Sequence, residues 1–410
     1  MNKLPHLFLL TATCFTGLLC SAESPIQEKT APLETPSVVT DELIWGRQIG
    51  SSQDDRTESV CVDSHDNVYV VGSTLASITG ENAGKNDAFF IKFNGDGDEM
   101  FRRQFGTAED DEGHYIICDE EDNVFVVGST FGLLGATQEG GRDIFLAKYT
   151  ADGELLWLKQ FGSDQDDQGV HVALDKDGNV YVAGGTTGLM GKEALGKQDG
   201  VITKLNSAGE ILWNTQFGTP ELEYARSIAF DSQGMVYATS SFYMTDISSI
   251  VKLSPKTGEI LLQKDPTDIK MFGVLINSED EIFVAGHNKG ISMFRKLDED
   301  FDPVWRKAFL QGAWSGEKEI RPYKSNLYAT SGCMNWPKCS GFVRIYDGDG
   351  NLQQWVMIRK SLDLESEDST CGNYLTIDSK GAIYHVGGTD ENLFGPNHGG
   401  KDGFLCKIEL

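Results

Sequence analysis

A unit of 56 residues recurs along this chain, and no other feature narrows its fold so far. Aligned on the aromatic that follows a Gly-Glu turn, the units begin at Trp45, Phe101, Trp157 and Trp213, at intervals of 101−45, 157−101 and 213−157, each 56. The register continues through Leu262, Trp305 and near Trp355, where intervals of 49, 43 and 50 show that the second half has lost loop length. A tandem array overrides the ordinary expectation of two or three domains in 410 residues, because one array can use the whole length. Seven units fit.

The third unit shows what each one builds. Its apolar runs are Gly169 to Asp175, Asn179 to Thr186, Asp199 to Asn206 and Glu210 to Phe217. The turns DKDGN and NSAGE carry hairpin chemistry, and a longer loop, TTGLMGKEALGKQD, joins the second run to the third. Apolar spacing changes every few residues, so no helix is expected and the unit reads as a four-stranded antiparallel sheet. Such sheets bury two faces only by stacking around an axis. The fold expected is therefore all-β, a seven-bladed β-propeller forming a single domain over 43–410. A TIM barrel would need eight helices that are absent. The chain ends in GFLCKIEL, a third strand without a fourth, while Leu43 to Ile49 is a fourth strand without a sheet. Pairing of 43–49 with 404–410 is expected to close the ring and protect an open edge.

The segment GGRDIFLAKYTADGELLWLKQFGSDQDDQGVHVALDKDGNVYVAGGT, at 140 to 186, resembles the SBBP repeat of exported bacterial β-propeller proteins. The resemblance is close in units one, two, three and seven, whose Gly-rich entries are GKND, GGRD, GKQD and GGKD. Units four to six keep strands such as MVYATSS, EIFVAGH and NLYATSG but lose those entries. The resemblance implies a seven-bladed propeller outside the cytoplasm and carries no catalytic residues with it. A weaker similarity, through TGEILL and AGEILW, is to quinone-enzyme propeller repeats. Here the neighbouring strand reads ITKLN or LAKYT, so no quinone is expected.

The N-terminus fits export. Residues 1–22 carry Lys3, a short apolar run and small residues ending at Ala22, as a signal peptide does. Cleavage after Ala22 is the reading preferred to lipidation at Cys20, because Leu19 is large for the position before a lipidated cysteine. Residues 23–42, rich in Pro, Thr and Glu, read as a disordered leader. No stretch is long and apolar enough to span a membrane. Of the remaining cysteines, Cys333 and Cys339 are expected to form a disulfide, with Cys371 an alternative partner for either. Cys61, Cys118 and Cys406 are read as buried thiols. With 62 acidic against 35 basic residues, a formal charge of -27, the chain would repel nucleic acid.

Candidate chemistry is sparse. Asp54 and Asp55, Asp110 and Asp111, and Asp166 and Asp167 recur between the fourth strand of one unit and the first of the next. They are read mainly as caps of the inter-blade turn, with calcium as the metal reading. Asp87, Asp143, Asp199 and Asp402 open third strands on the same face; they are read mainly as caps of loop N–H groups, with ligand binding on a matched half-rim of units seven, one, two and three as the alternative. Trp314 and Trp336 belong to no repeated position and are candidate interface anchors. His114 and His171 begin first strands and could face the central channel, but are read as ordinary hydrogen-bonded histidines. No HExxH pair, GxSxG elbow or phosphate-binding glycine loop is present, so no catalytic residue is named and no cofactor beyond calcium is expected. The function expected is a secreted or extracytoplasmic, non-catalytic monomer that binds a protein or glycan through its loop-rich face. The alternatives are a lyase or hydrolase with its site at the channel mouth, and a calcium-stapled surface protein.

Overall fold

The computed structural model describes residues 37–38, 42–242, 247–309, 316–334, 340–358 and 370–410, and the statements below concern these. Five consecutive four-stranded antiparallel sheets cover Asp55–Phe105, Asp111–Phe161, Asp167–Phe217, Tyr224–Lys264 and Lys270–Phe309. A sixth, nine-stranded sheet holds two further sets of four, joined by one parallel bridge between Ser340 and Thr370. One set comprises the strands from Gly316 to Ile358. The other comprises Thr370–Ile377, Ile383–Thr389, Asp402–Ile408 and, from the opposite end of the chain, Leu43–Ile49. Leu43–Ile49 runs antiparallel to Asp402–Ile408, with Leu43 opposite Ile408 and Ile49 opposite Gly403. The sequence reading set this partner two residues later. The ninth strand, Ser37–Val38, lies parallel to Leu352–Ile358.

Burial explains why the runs read as they do. Second and third strands such as Val68–Thr74 and Asp87–Phe93 are buried along their whole length, because both faces meet neighbouring sheets, so they read as near-continuous apolar runs. Val71, Ala88 and Phe90 of the first sheet interlock with Ile116, Val126 and Phe145 of the second. Each Phe buried this way contributes about 1.5–3 kcal/mol. Outer strands face solvent, and their recurring aromatic leans on the third hairpin of the next sheet: Trp45 Nε1 donates to Gly95 O at 3.2 Å, and Trp213 Nε1 to Pro255 O at 3.2 Å.

The hairpin signal DKDGN has a physical basis. Asp175 Oδ1 accepts the backbone N–H groups of Asp177 and Asn179, while Oδ2 accepts Tyr181 OH and lies 3.5 Å from Lys204 Nζ. Gly178 takes φ 75°, which an L side chain rarely adopts. Asp63 and Asp378 repeat the arrangement with Lys92 and Lys407.

One irregularity is shared by all the first strands described. The ladder between first and second strand skips Glu58, His114, Val170, Arg226, Phe272 and Lys318, and in the last set both Asn373 and Tyr374. These are β-bulges, each placing an extra residue outside the ladder. The second strand makes room with glycine: a Cβ on Gly72, Gly128 or Gly184 would overlap the carbonyl oxygen of Arg56, Glu112 or Gln168. The first strands pack side by side in chain order, and Thr370–Ile377 packs beside Asp55–Val62.

Candidate functional site at the channel mouth

The bulges converge. A cavity of about 300 Å³ is lined by Glu58, His114, Val170, Arg226, Phe272, Lys318, Asn373 and Tyr374, together with Gln168, Tyr224 and Phe242. Gln168 and Tyr224 stand at the starts of their strands and Phe242 follows a second strand. The mouth therefore opens on the face that carries the inter-sheet turns and the loops joining second to third strands.

Its two sides differ in chemistry. On one, Arg226 lies over the rings of Tyr224 at 5.1 Å and Phe272 at 5.6 Å, Tyr224 stacks on Phe242, and Val170 completes an apolar wall. On the other, Lys318 Nζ donates to Asn373 Oδ1 at 2.6 Å, and Asn373 Nδ2 donates to Glu58 Oε2 at 3.2 Å. Burial raises the Glu58 carboxyl above its ordinary range; Lys318 and Arg56 oppose this and Glu112 adds to it. Gln168 Nε2 lies 2.8 Å from His114 Nε2, as a donor to a neutral ring would. Burial lowers His114 to about 4, against the pull of Glu112 and with the push of Arg142, Arg226 and Arg56. Further along the same strands Arg321 reaches the Tyr115 hydroxyl and pairs with Glu319 at 3.1 Å.

The acids singled out in the sequence sit elsewhere. Asp55, Asp111 and Asp167 are fully buried at the starts of first strands, where each Oδ2 accepts a backbone N–H, from Ser51 at 2.6 Å, Thr107 at 2.5 Å and Ser163 at 2.6 Å, and the same residue's hydroxyl. Asp54 and Asp166 are exposed; their Oδ1 atoms accept the N–H of Lys401 and Arg142, and Asp110 O accepts Phe131 N. Asp87, Asp143, Asp199 and Asp402 are buried behind them. Each accepts a loop N–H, from Ala83, Glu139, Leu195 or His398, with Gly140 adding a second at Asp143, and the amide of a glutamine on the outer strand: Gln104, Gln160, Gln216 or Gln48. None of these acids lines the channel pocket. Trp314, Trp336 and Cys339 lie outside the described residues. Cys333 is disulfide-bonded, whereas Cys371 is a free cysteine whose Sγ lies 2.9 Å from that of Cys333.

His114 lines the pocket, whereas His171 sits one position further along its strand, buried against the Tyr115 ring at 4.2 Å. Asp63, His65 and Asp122 bring three potential metal-ligand atoms within 4.8 Å of one another. There the Asp63 carboxylate is engaged by its own turn, by Asn67 and Tyr69, and by Lys92. The other pocket residues were not singled out by sequence reasoning, although a signal existed. Positions 58, 114, 170 and 226 follow the 56-residue period and read Glu, His, Val and Arg, so side-chain chemistry changes completely where the surrounding unit repeats.

Repeated four-stranded sheets whose first strands surround a shared pocket define a propeller-like, all-β protein. Within that class, residues 44–78 and 156–189 match the SBBP family, described as a beta-propeller repeat. In overall fold the chain is similar to the RRP9 WD40 repeats (TM-score 0.58, 10% identity, 92% of this chain and 99% of that one). It is also similar to the Pan2 WD40 domain of Neurospora crassa (0.52, 11%, 92% and 98%). A third likeness is to Chaetomium thermophilum Sqt1 bound to the N-terminus of a ribosomal protein (0.50, 12%, 90% and 100%). At these identities the likeness is one of fold. Among sequence relatives, the regulatory protein FlaEY of Caulobacter vibrioides is 27% identical over 112 residues, 25% of this chain and 12% of that protein. An uncharacterised WD repeat-containing protein of Acanthamoeba polyphaga mimivirus is 20% identical over 264 residues, 60% of this chain and 16% of that protein. The chain thus spans less than a fifth of either relative. No helix among the described residues is long and apolar enough to cross a membrane.

Proposed function

We propose that this is an exported, seven-bladed propeller, closed by the Leu43–Ile49 strand, that binds a protein or glycan by seating an isolated anionic group in the channel-mouth pocket. The observation that carries this reading is the ring of bulges: one register position supplies most of the pocket wall, and there the repeats diverge in chemistry. Seven first strands side by side, and the pairing of 43–49 with 402–408, support the blade count and the closure. In a chain of formal charge -27, Arg56, Arg142, Arg226 and Lys318 gather around this pocket against Glu58 and Glu112. Low-dielectric walls focus that local field on a small anion, while the overall charge repels a polyanion. The volume and the aromatic lining suit a chain end or one sugar ring.

The test is an array of neutral glycans, glycans bearing one uronic acid and peptides with a free C-terminal carboxylate, probed with the parent and an R226A/K318A double variant. The parent is expected to bind an anionic member and the double variant to bind it at least about tenfold more weakly, a loss of about 1.4 kcal/mol. Equal binding by both would overturn the reading. One observation favours a catalytic second reading: a carboxyl of raised proton affinity, Glu58, shares the pocket with a neutral histidine. Cleavage of a bound glycan by the parent, lost in Glu58→Gln while binding persists, would establish it.

A further inference from the structure

Two cysteines break the repeat in a way that brings them together. Cys61 and Cys118 lie near the C-terminal ends of the first strands of the first two sheets, 57 positions apart where the repeat is 56. The extra step moves Cys118 to the register position of Val62 rather than Cys61, onto the side that faces the neighbouring strand. Their Sγ atoms are 2.7 Å apart, well inside the sum of two sulfur van der Waals radii and beyond the roughly 2.05 Å of a disulfide bond. Both sit in a largely buried cluster with Tyr69, Ile116 and Val124, so no other cysteine among the described residues competes for either. Among the described residues these thiols belong to no group of three potential metal ligands, so two thiols pressed this close are poised for one bond.

We propose that Cys61 and Cys118 form a disulfide that ties the first sheet to the second. The step is a two-electron oxidation: the S–S bond forms, the two thiols lose two protons and two electrons, and a disulfide of an oxidised dithiol protein or of glutathione is reduced to two thiols. Burial raises the Cys118 thiol, which makes its thiolate scarce in the folded chain, so the bond forms while the chain is folding. The link does not depend on what the pocket binds.

Peptide mapping tests it on the full chain, refolded from the reduced state in a mixture of reduced and oxidised glutathione and then alkylated in denaturant. Trypsin releases Cys61 within 57–85 and Cys118 within 104–142, each peptide holding one cysteine. The expected result is a single mass equal to the two peptides joined, split by reduction, with Cys118 fully alkylated in a C61S variant. Alkylation of both cysteines in the parent, or a link from either to a different cysteine, would overturn the proposal. Should C61S fail to refold, the parent's own map still decides.

Discussion

Glu223→Gln isolates one buried carboxyl and makes its proton measurable. Glu223 holds, in the fourth sheet, the position taken by Asp55, Asp111 and Asp167 in the first three, and it is fully buried. Its Oε2 accepts Thr219 N at 2.6 Å, and the Ser249 hydroxyl lies against the same carboxyl. Burial raises its pKa from 4.5 to about 7, helped by repulsion from Asp265 and Asp199 and opposed by the Thr219 N–H. A folded-state pKa above the unfolded one means that the folded chain holds this proton more tightly. The resulting stability is fully present below pH 4.5 and is lost as pH rises through 7. At about 1.4 kcal/mol per tenfold in proton affinity, the interval corresponds to a loss on the order of 2–3 kcal/mol between pH 5 and pH 8. Glutamine still accepts the Thr219 N–H and has no proton to lose. Urea unfolding of parent and variant at pH 5, 6, 7 and 8 should therefore show the stability difference moving in favour of the variant by that amount. A difference that stays constant with pH, or moves the other way, would refute the reasoning.

Two further substitutions probe the scaffold. Asp167→Ala removes the acceptor for Ser163 N and Oγ and leaves a buried donor unpaired, so a loss of about 3 kcal/mol is expected in chemical denaturation, whereas Asp167→Asn keeps an acceptor and should lose less than about 1 kcal/mol. Equal losses would count against the turn-capping role and for the proposal that these acids hold calcium, which a chelator-induced fall in the parent's melting temperature would then support. Gly128→Ala places a methyl group on the Glu112 carbonyl oxygen at the His114 bulge, and a cost of about 2–4 kcal/mol in thermal or urea unfolding is expected; a variant as stable as the parent would show that the glycine is not needed there.

What the sequence made legible was whatever is decided locally. The 56-residue period, the turn chemistry at Asp175 to Asn179 and the strands of the third sheet, found at Asp167–Leu174, Val180–Thr186, Asp199–Leu205 and Ile211–Phe217, all depend on neighbours within one hairpin. The turn-capping bonds of the recurring acids are local, since Asp55, Asp111 and Asp167 each accept an N–H from four residues earlier, and were legible as caps. The glutamine partners were not, because they come from other strands: Asp402 is held by Gln48, 354 positions away, across the junction of the two chain ends. The pocket was harder still. A bulge adds one residue to a ladder without altering composition, so Glu58 and Lys318 look like any polar residue on a half-buried strand. Only the glycines opposite, at 72, 128 and 184, and the change of chemistry at a fixed period mark the place.

Residues outside the ladder have no register partner on the neighbouring strand. Under the proposed function, exchanging Val170 or Arg226 would alter what the pocket recognises while the pairing of Gly169 with Gly184, or of Ser227 with Thr239, is kept. Recognition and folding would then be written at separate addresses in the same strand. Related chains with the same repeat could diverge in ligand at very few positions, and an engineered change of specificity would begin at those seven bulges without renegotiating the core.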